Sequence, residues 1–154
     1  MKKLFLDRVG YIEYISHSGD EKTISQIAGI SHLSEEGPSV EKLLAWGHLS
    51  PFEFANITFR VKAPIFVARQ WMRHRTGHYL EKSLRYCEAD IDFYVPDMGS
   101  DEKDYQYTQA VGRSFISYQD LLRDGVPKEL ARGVLPTTIY TEFFFQMDLR
   151  NLLN

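Results

Sequence analysis

Residues 54–75 read FANITFRVKAPIFVARQWMRHR, and the hydrophobic period changes once along them. Over 54–62 the period is two. Ala55, Ile57, Phe59 and Val61 point one way, and Asn56, Thr58, Arg60 and Lys62 the other, which predicts a half-buried strand. Pro64 suits the first turn of a following helix, where its missing N–H costs nothing. Ile65, Ala68 and Met72 then share one helical face, and Arg69 and Arg73, four apart, share another. Gly77 ends that helix or starts the loop after it.

Outward from this unit the same two periods recur. Residues 9–15 alternate loosely and predict a strand, and 137–147 alternate again, with Ile139, Thr141, Phe143, Phe145 and Met147 on one side. Residues 91–95 predict a short strand before Pro96. Helical spacing predicts helices over 21–30, over 40–44 with Gly47 closing it, and over 102–123, where Tyr107, Val111, Phe115, Tyr118 and Leu122 form a stripe. Asp124-Gly125 stops the long helix, and a shorter one follows over 126–134. Strands and helices alternate without a strict βαβ rhythm, so the expected fold is α+β, a mostly antiparallel sheet flanked by helices. The last residues, 148–154, read as a helix just begun and capped by Asp148. That helix is too short to stand alone, so the chain looks short at its C-terminus or completed by another subunit.

The bulk numbers bound the rest. A chain of 154 residues predicts one domain, 1–154, able to bury a core without staples. A net charge of −3 argues against general nucleic-acid binding. The single cysteine, Cys87, excludes an internal disulfide and any cysteine-based metal cluster. It fits a reducing, cytoplasmic setting and reads as a small buried hydrophobe. The opening MKKLFLDRVGY is too poor in apolar residues for a signal peptide, and no stretch predicts a membrane span.

Against that acidic background, residues 69–86 hold five Lys/Arg and one acid, a local charge of +4. Arg69, Arg73 and Arg75 cannot all sit in a core. A guanidinium binds phosphate or carboxylate through two parallel hydrogen bonds, each worth roughly 1.5–3 kcal/mol where water is excluded. Gly77 permits close backbone approach to a ligand. Glu81 suits a sugar hydroxyl or an amide N–H, and Ser83 a phosphate oxygen. The expectation is a pocket for an anion attached to a polar ring; on local chemistry alone, a solvated helix end fits equally. His74 and His78 stand four apart, but no carboxylate follows at zinc-like spacing and the arginines repel a cation, so no metal site is expected.

The spacing narrows the choice. Arg73-His74-Arg75, seven residues, then Ser83 resembles the RHR-x7-S signature of the flavin-dependent thymidylate synthases. KAPIFVARQWMRHR (62–75), GHLSPFE (47–53) and GVPKELARGVLP (125–136) are similar to that family's other elements, in the same order. The resemblance implies an enzyme that methylates dUMP at C5 to dTMP, with methylenetetrahydrofolate as carbon donor, FAD as cofactor and NADPH as reductant. It also implies a homotetramer whose active sites lie between subunits. By motif, Ser31, Ser50, Arg73, His74, Arg75, Glu81, Asp148, Arg150 and Asn154 would contact FAD. Gln70, Arg73, Glu81, Lys82, Ser83, Leu84, Arg85 and Arg132 would contact the nucleotide. The chain departs from the family where Leu80 and Asp148 each stand in place of asparagine, and Thr76-Gly77-His78 is an unusual filling of the signature. The family's ring-polarising arginine would lie beyond Asn154, so no catalytic residue is assigned. A naturally short relative methylating UMP or dUMP in a nucleoside pathway, and a non-catalytic flavin- or nucleotide-binding module, remain the alternatives.

Overall fold

The computed structural model describes residues 3–154; Met1 and Lys2, on which part of the leader reading rests, lie outside the described residues. Two long strands carry the architecture. β3 (Asn56–Pro64) and β5 (Tyr140–Asp148) pair antiparallel along their whole length, from Asn56 opposite Asp148 to Pro64 opposite Tyr140. β2 (Tyr11–Ser18) pairs with the other edge of β3, and β1 (Lys3–Phe5) with β2. β4 (His78–Glu81) pairs with the other edge of β5, giving a five-stranded antiparallel sheet of order β1-β2-β3-β5-β4. The α+β expectation holds.

The period-two reading of 54–62 gives the correct faces. Val61, Ala63, Phe143, Phe145 and Met147 are buried together on one side. The helix α3 (Ile65–Trp71) lies on that side and presses Ala68 and Trp71 onto them. Trp71 meets the edges of Phe143 and Phe145 at 5.8 and 5.6 Å between ring centroids. Burying each such ring contributes about 1.5–3 kcal/mol. Pro64 ends β3 and precedes the first helical residue, one position earlier than the N1 placement expected.

Two satellite clusters flank the sheet. In one, α1 (Glu21–Gly29), α2 (Val40–Ala45) and a short 3-10 turn (Ser50–Phe54) bury Ile24, Leu43 and Phe52. Asp20 caps α1 by accepting from the Thr23 N–H at 2.8 Å. In the other, α4 (Asp101–Arg123) and α5 (Lys128–Ala131) bury Phe115, Tyr118 and Ala131. Gly125, at φ +81°, supplies the left-handed turn between them. The C-terminal helix α6 (Leu149–Leu152) is capped by Asp148, as expected.

Several boundaries differ from the sequence reading. Phe54 belongs to the 3-10 turn, not to the strand. β2 runs on to Ser18 because a bulge at Ile15, between Tyr14 and Ser16, resets its alternation. Residues 91–95 form no strand; only Phe93 bridges to Ile139, because β4 already occupies that edge of β5 further along. The helix begun at Ile65 stops at Trp71, well before Gly77. The helix expected over 126–134 is only α5 and a 3-10 turn, Arg132–Val134. Cys87 is exposed, not buried: it lies in the turn after β4, its N–H donating to the Ser83 carbonyl.

Candidate active site

β4 is the element that builds the site. Period-two alternation sends Tyr79 and Glu81 to the packed face of the sheet and His78 and Leu80 to the other. Glu81 therefore stands beside Thr141, two residues from its register partner Phe143. The Thr141 hydroxyl donates to Glu81 Oε1 at 3.0 Å, and Arg69 Nη1 donates to Oε2 at 3.1 Å. Beyond Glu81 the chain pairs once more, Lys82 N–H donating to the Glu142 carbonyl at 2.8 Å, and then turns. Ser83 holds the turn: its carbonyl accepts from the N–H groups of Tyr86 and Cys87.

These residues surround a cavity of about 520 Å³, lined by Arg69, Glu81, Lys82, Ser83, Leu84 and Arg132 among others. Arg132 arrives from the 3-10 turn after α5. Arg85 stands outside the lining and pairs with Glu129 at 3.3 Å. Gln70 is exposed on α3 and lines no part of it. The structure thus brings together five of the eight residues assigned to the nucleotide: Glu81, Lys82, Ser83, Leu84 and Arg132. Leu80, at the family's asparagine place, faces away from this cavity. It lies on the opposite sheet face beside Phe144, where a second cavity of about 540 Å³ includes Arg60 and Glu142.

The Arg73-His74-Arg75 segment forms a tight turn between α3 and β4. Arg73 N–H donates to the Gln70 carbonyl and His74 N–H to that of Trp71, both at 3.1 Å. The Tyr79 hydroxyl closes the turn from below, donating towards the carbonyls of Trp71 at 3.1 Å and His74 at 2.9 Å. Burial pushes that phenol's pKa up, which keeps it a donor. Gly77 is required by close approach: a Cβ there would lie 2.6 Å from Phe145 Cε2 and 2.8 Å from the Tyr79 oxygen. All three side chains of the turn are exposed. Among the described residues, neither Arg73 nor Arg75 has a carboxylate partner within 4.0 Å. His78 lies on β4, so the four-residue spacing of His74 and His78 does not place them on one helix. Arg73 likewise lies past the helix it was expected to share with Arg69.

A third cavity, of about 410 Å³, gathers Ser31, Ser50, His48 and Trp46 over Leu43 and Phe54. Its serines come from the two 3-10 turns that flank α2. Asp148 spends both carboxylate oxygens on capping, accepting from Asn151 N–H at 2.9 Å and Asn151 Nδ2 at 2.7 Å. Arg150 pairs with Glu53, and Asn154 is exposed. The serine cavity sits before β3 begins and the Glu81 cavity where β3 ends. β3, roughly 26 Å from end to end, lies between them.

Sequence reasoning missed Thr141 and Glu129 as members of the site. Thr141 did carry a signal, as the one hydroxyl in the apolar row Ile139–Met147. Glu129 carried none, because its approach to Arg85 depends on how α5 packs.

Comparison with known proteins agrees with this geometry. Residues 12–154 match the family model described as thymidylate synthase complementing protein. The chain is 41% identical to the flavin-dependent thymidylate synthase of Pseudothermotoga lettingae, over 97% of this chain and 75% of that protein. It is 38% identical to that of Borreliella burgdorferi, over 94% of this chain and 63% of that one. Among solved structures it resembles the UMP/dUMP methylase PolB from Streptomyces cacaoi bound with 5-Br dUMP. The TM-score is 0.81, at 31% identity, over 94% of this chain and 75% of that chain. The same methylase bound with 5-Br UMP gives a TM-score of 0.76 at 30% identity, over 94% and 74% of the two chains. A signature turn, a cavity built on β4 and a family match across nearly the whole chain converge: this protein belongs to the flavin-dependent thymidylate synthases.

Proposed function

We propose that the protein methylates C5 of dUMP to give dTMP, with FAD bound, methylenetetrahydrofolate supplying the carbon and NADPH the reducing equivalents. One observation carries the reading. Glu81 and Ser83, two residues apart, and Arg132, from far along the chain, line one cavity with an acceptor, a hydroxyl and a cation, the groups a nucleoside monophosphate requires. Arg132 and Lys82 suit the phosphate and the developing negative charge of the ring oxygens. Preorganised cations in a cavity that excludes water stabilise such charge.

The donor set also fits a flavin dinucleotide. Arg73, His74 and Arg75 present exposed guanidinium and imidazole groups that no described residue engages, as a pyrophosphate needs. Ser31, Ser50 and His48 line a cavity with an indole wall, Trp46. FAD, when bound, supplies the redox chemistry of the transfer; the protein binds, orients and polarises. Asp148, occupied as a cap, would meet the cofactor only through whatever acceptor capacity remains.

The separation of the two cavities supports a shared site. A ring held in the serine cavity cannot stack on a ring in the Glu81 cavity of the same chain, because the two lie towards opposite ends of β3. A second copy that brings its serine cavity to the first copy's Glu81 closes that gap. A homotetramer does this four times. Light scattering at four times the monomer mass supports it, and a stable, active monomer refutes it.

A second reading concerns the sugar. A solved structure that this chain resembles is named for both UMP and dUMP. On that reading the cavity here accepts ribose as well as deoxyribose.

Anaerobic reduction of the purified flavoprotein by NADPH, followed by methylenetetrahydrofolate with dUMP or UMP in parallel, tests both. Reoxidation with formation of dTMP supports the main reading, and equal turnover of UMP the second. A flavin that reduces and reoxidises with no methylated product overturns both and leaves a binding module.

A further inference from the structure

Both oxygens of Glu81 are taken up before any ligand arrives, and by groups to which no role is attached. Thr141 is 5% exposed, begins the row of β5 side chains facing α3, and reaches one oxygen. Arg69, on α3, reaches the other from the opposite side at 3.1 Å. A glutamate side chain has three rotatable bonds, and a ligand that must order it binds more weakly for that reason. Here two elements of the fold do it in advance. An ionised carboxylate offers about four lone-pair positions. Two are committed, so those left over have fixed directions. Exposed ion pairs are worth little to stability, and the Arg69 side chain is 59% exposed. The Arg69–Glu81 contact is therefore poorly explained as a device for folding.

We propose that Arg69 and Thr141 are positioning residues that fix the Glu81 carboxylate in the orientation required to accept a hydrogen bond from the uridine nucleotide. This rests on the reading of the cavity as the nucleotide site. Thr141 sets the height of the carboxylate above the sheet, and Arg69 sets its rotation. Neither touches the nucleotide; both act through Glu81. The arrangement depends on register: a shift of β4 by one residue would turn Glu81 to the opposite face of the sheet, out of reach of Thr141.

The test is a double-mutant cycle read by calorimetric titration of the intact flavoprotein with dUMP. Thr141→Val removes the hydroxyl at constant shape, Arg69→Met removes the cation, and Glu81→Leu removes the oriented acceptor. Each of the first two should weaken dUMP binding roughly 5- to 30-fold, with flavin content unchanged. Arg69→Lys should recover part of the loss. In the Glu81→Leu background, Thr141→Val and Arg69→Met should add less than about twofold, because what they position is gone. A purely structural role predicts additive losses in both backgrounds, and a direct contact of Arg69 with the nucleotide predicts a persistent loss for Arg69→Met; either result overturns the proposal. Wild-type affinity in the variants overturns it too. Arg69 is on the surface, so its variant folds and carries the test should Thr141→Val prove unstable. Failure of the wild-type protein to bind dUMP overturns the nucleotide reading itself, and this inference with it.

Discussion

The Glu81 end of β4 and the Arg73–Arg75 turn before it are only a few residues apart, yet the chain treats their charges in opposite ways. Glu81 is partnered on both oxygens, beside a buried threonine, on a strand fixed by its register against β5. Arg73 and Arg75 sit on a turn whose backbone is held just as firmly, by Tyr79 and Gly77, while their side chains stand in solvent. Folding thus completes one half of the site and only aims the other. Rigid backbone with free cations is the arrangement expected where the partner is a ligand or a second subunit, not the chain itself.

That contrast can be broken at its strongest point. Arg73→Ala combined with Arg75→Ala removes two charge-assisted donors, so flavin affinity should fall by about 3–6 kcal/mol. Folding stability should change by less than about 0.5 kcal/mol, since exposed side chains without partners contribute little. Flavin absorbance after gel filtration and a urea titration on the same sample check both halves. Retained flavin, or a large loss of stability, would erase the distinction. The next effect lies in the backbone under the turn. Gly77→Ala drives a methyl group against Phe145, which is 3% exposed and cannot yield cheaply. Overpacking of this kind should cost about 2 kcal/mol in urea denaturation, the reverse of the arginine pattern. A neutral result would mean that the turn relaxes and is not a fixed aim.

The same two regions show what the sequence could reveal. β3, β5 and α4 were legible because each is long and has one period throughout. The signature residues were legible as a spacing. β4 was not: its four residues HYLE put a carboxylate on the packed face and a leucine in solvent, the inverse of the amphipathic rule. It is a strand because β5 offers an edge, which is a tertiary fact. For the same reason 91–95, with better strand residues, is not one. Glu81 finds Thr141 sixty positions away and Arg85 finds Glu129 across forty-four, and only pairing register and helix packing bring such groups together. Long elements with one period were legible; partners across the sheet were not.

The smallest effect sharpens the comparison through pH. On the sheet face opposite α3, Tyr11 is buried and donates to Glu142 Oε2 at 2.9 Å. Burial first, and then the Glu142 carboxylate, push its pKa up to about 12. Tyr140 is pushed higher still by burial and by Asp7, which accepts its hydroxyl at 2.7 Å. A raised pKa means that the fold favours the protonated phenol. The stabilisation is therefore complete below the unfolded value of about 10 and is lost as pH rises through 12. At pH 11 the folded phenol is still protonated while that of the unfolded chain is already ionised, so stability has fallen by about 1 kcal/mol relative to pH 9. Tyr11→Phe, which keeps the ring and leaves Glu142 paired with Arg60, should remove that share of the slope between pH 9 and 11. Flavin binding through guanidinium groups should not titrate in the same window, because arginine stays charged. Parallel alkaline profiles of unfolding and of flavin affinity would therefore contradict the division between a region completed by folding and one left for a ligand, whereas an alkaline loss confined to folding and flattened by Tyr11→Phe would separate the two by their chemistry.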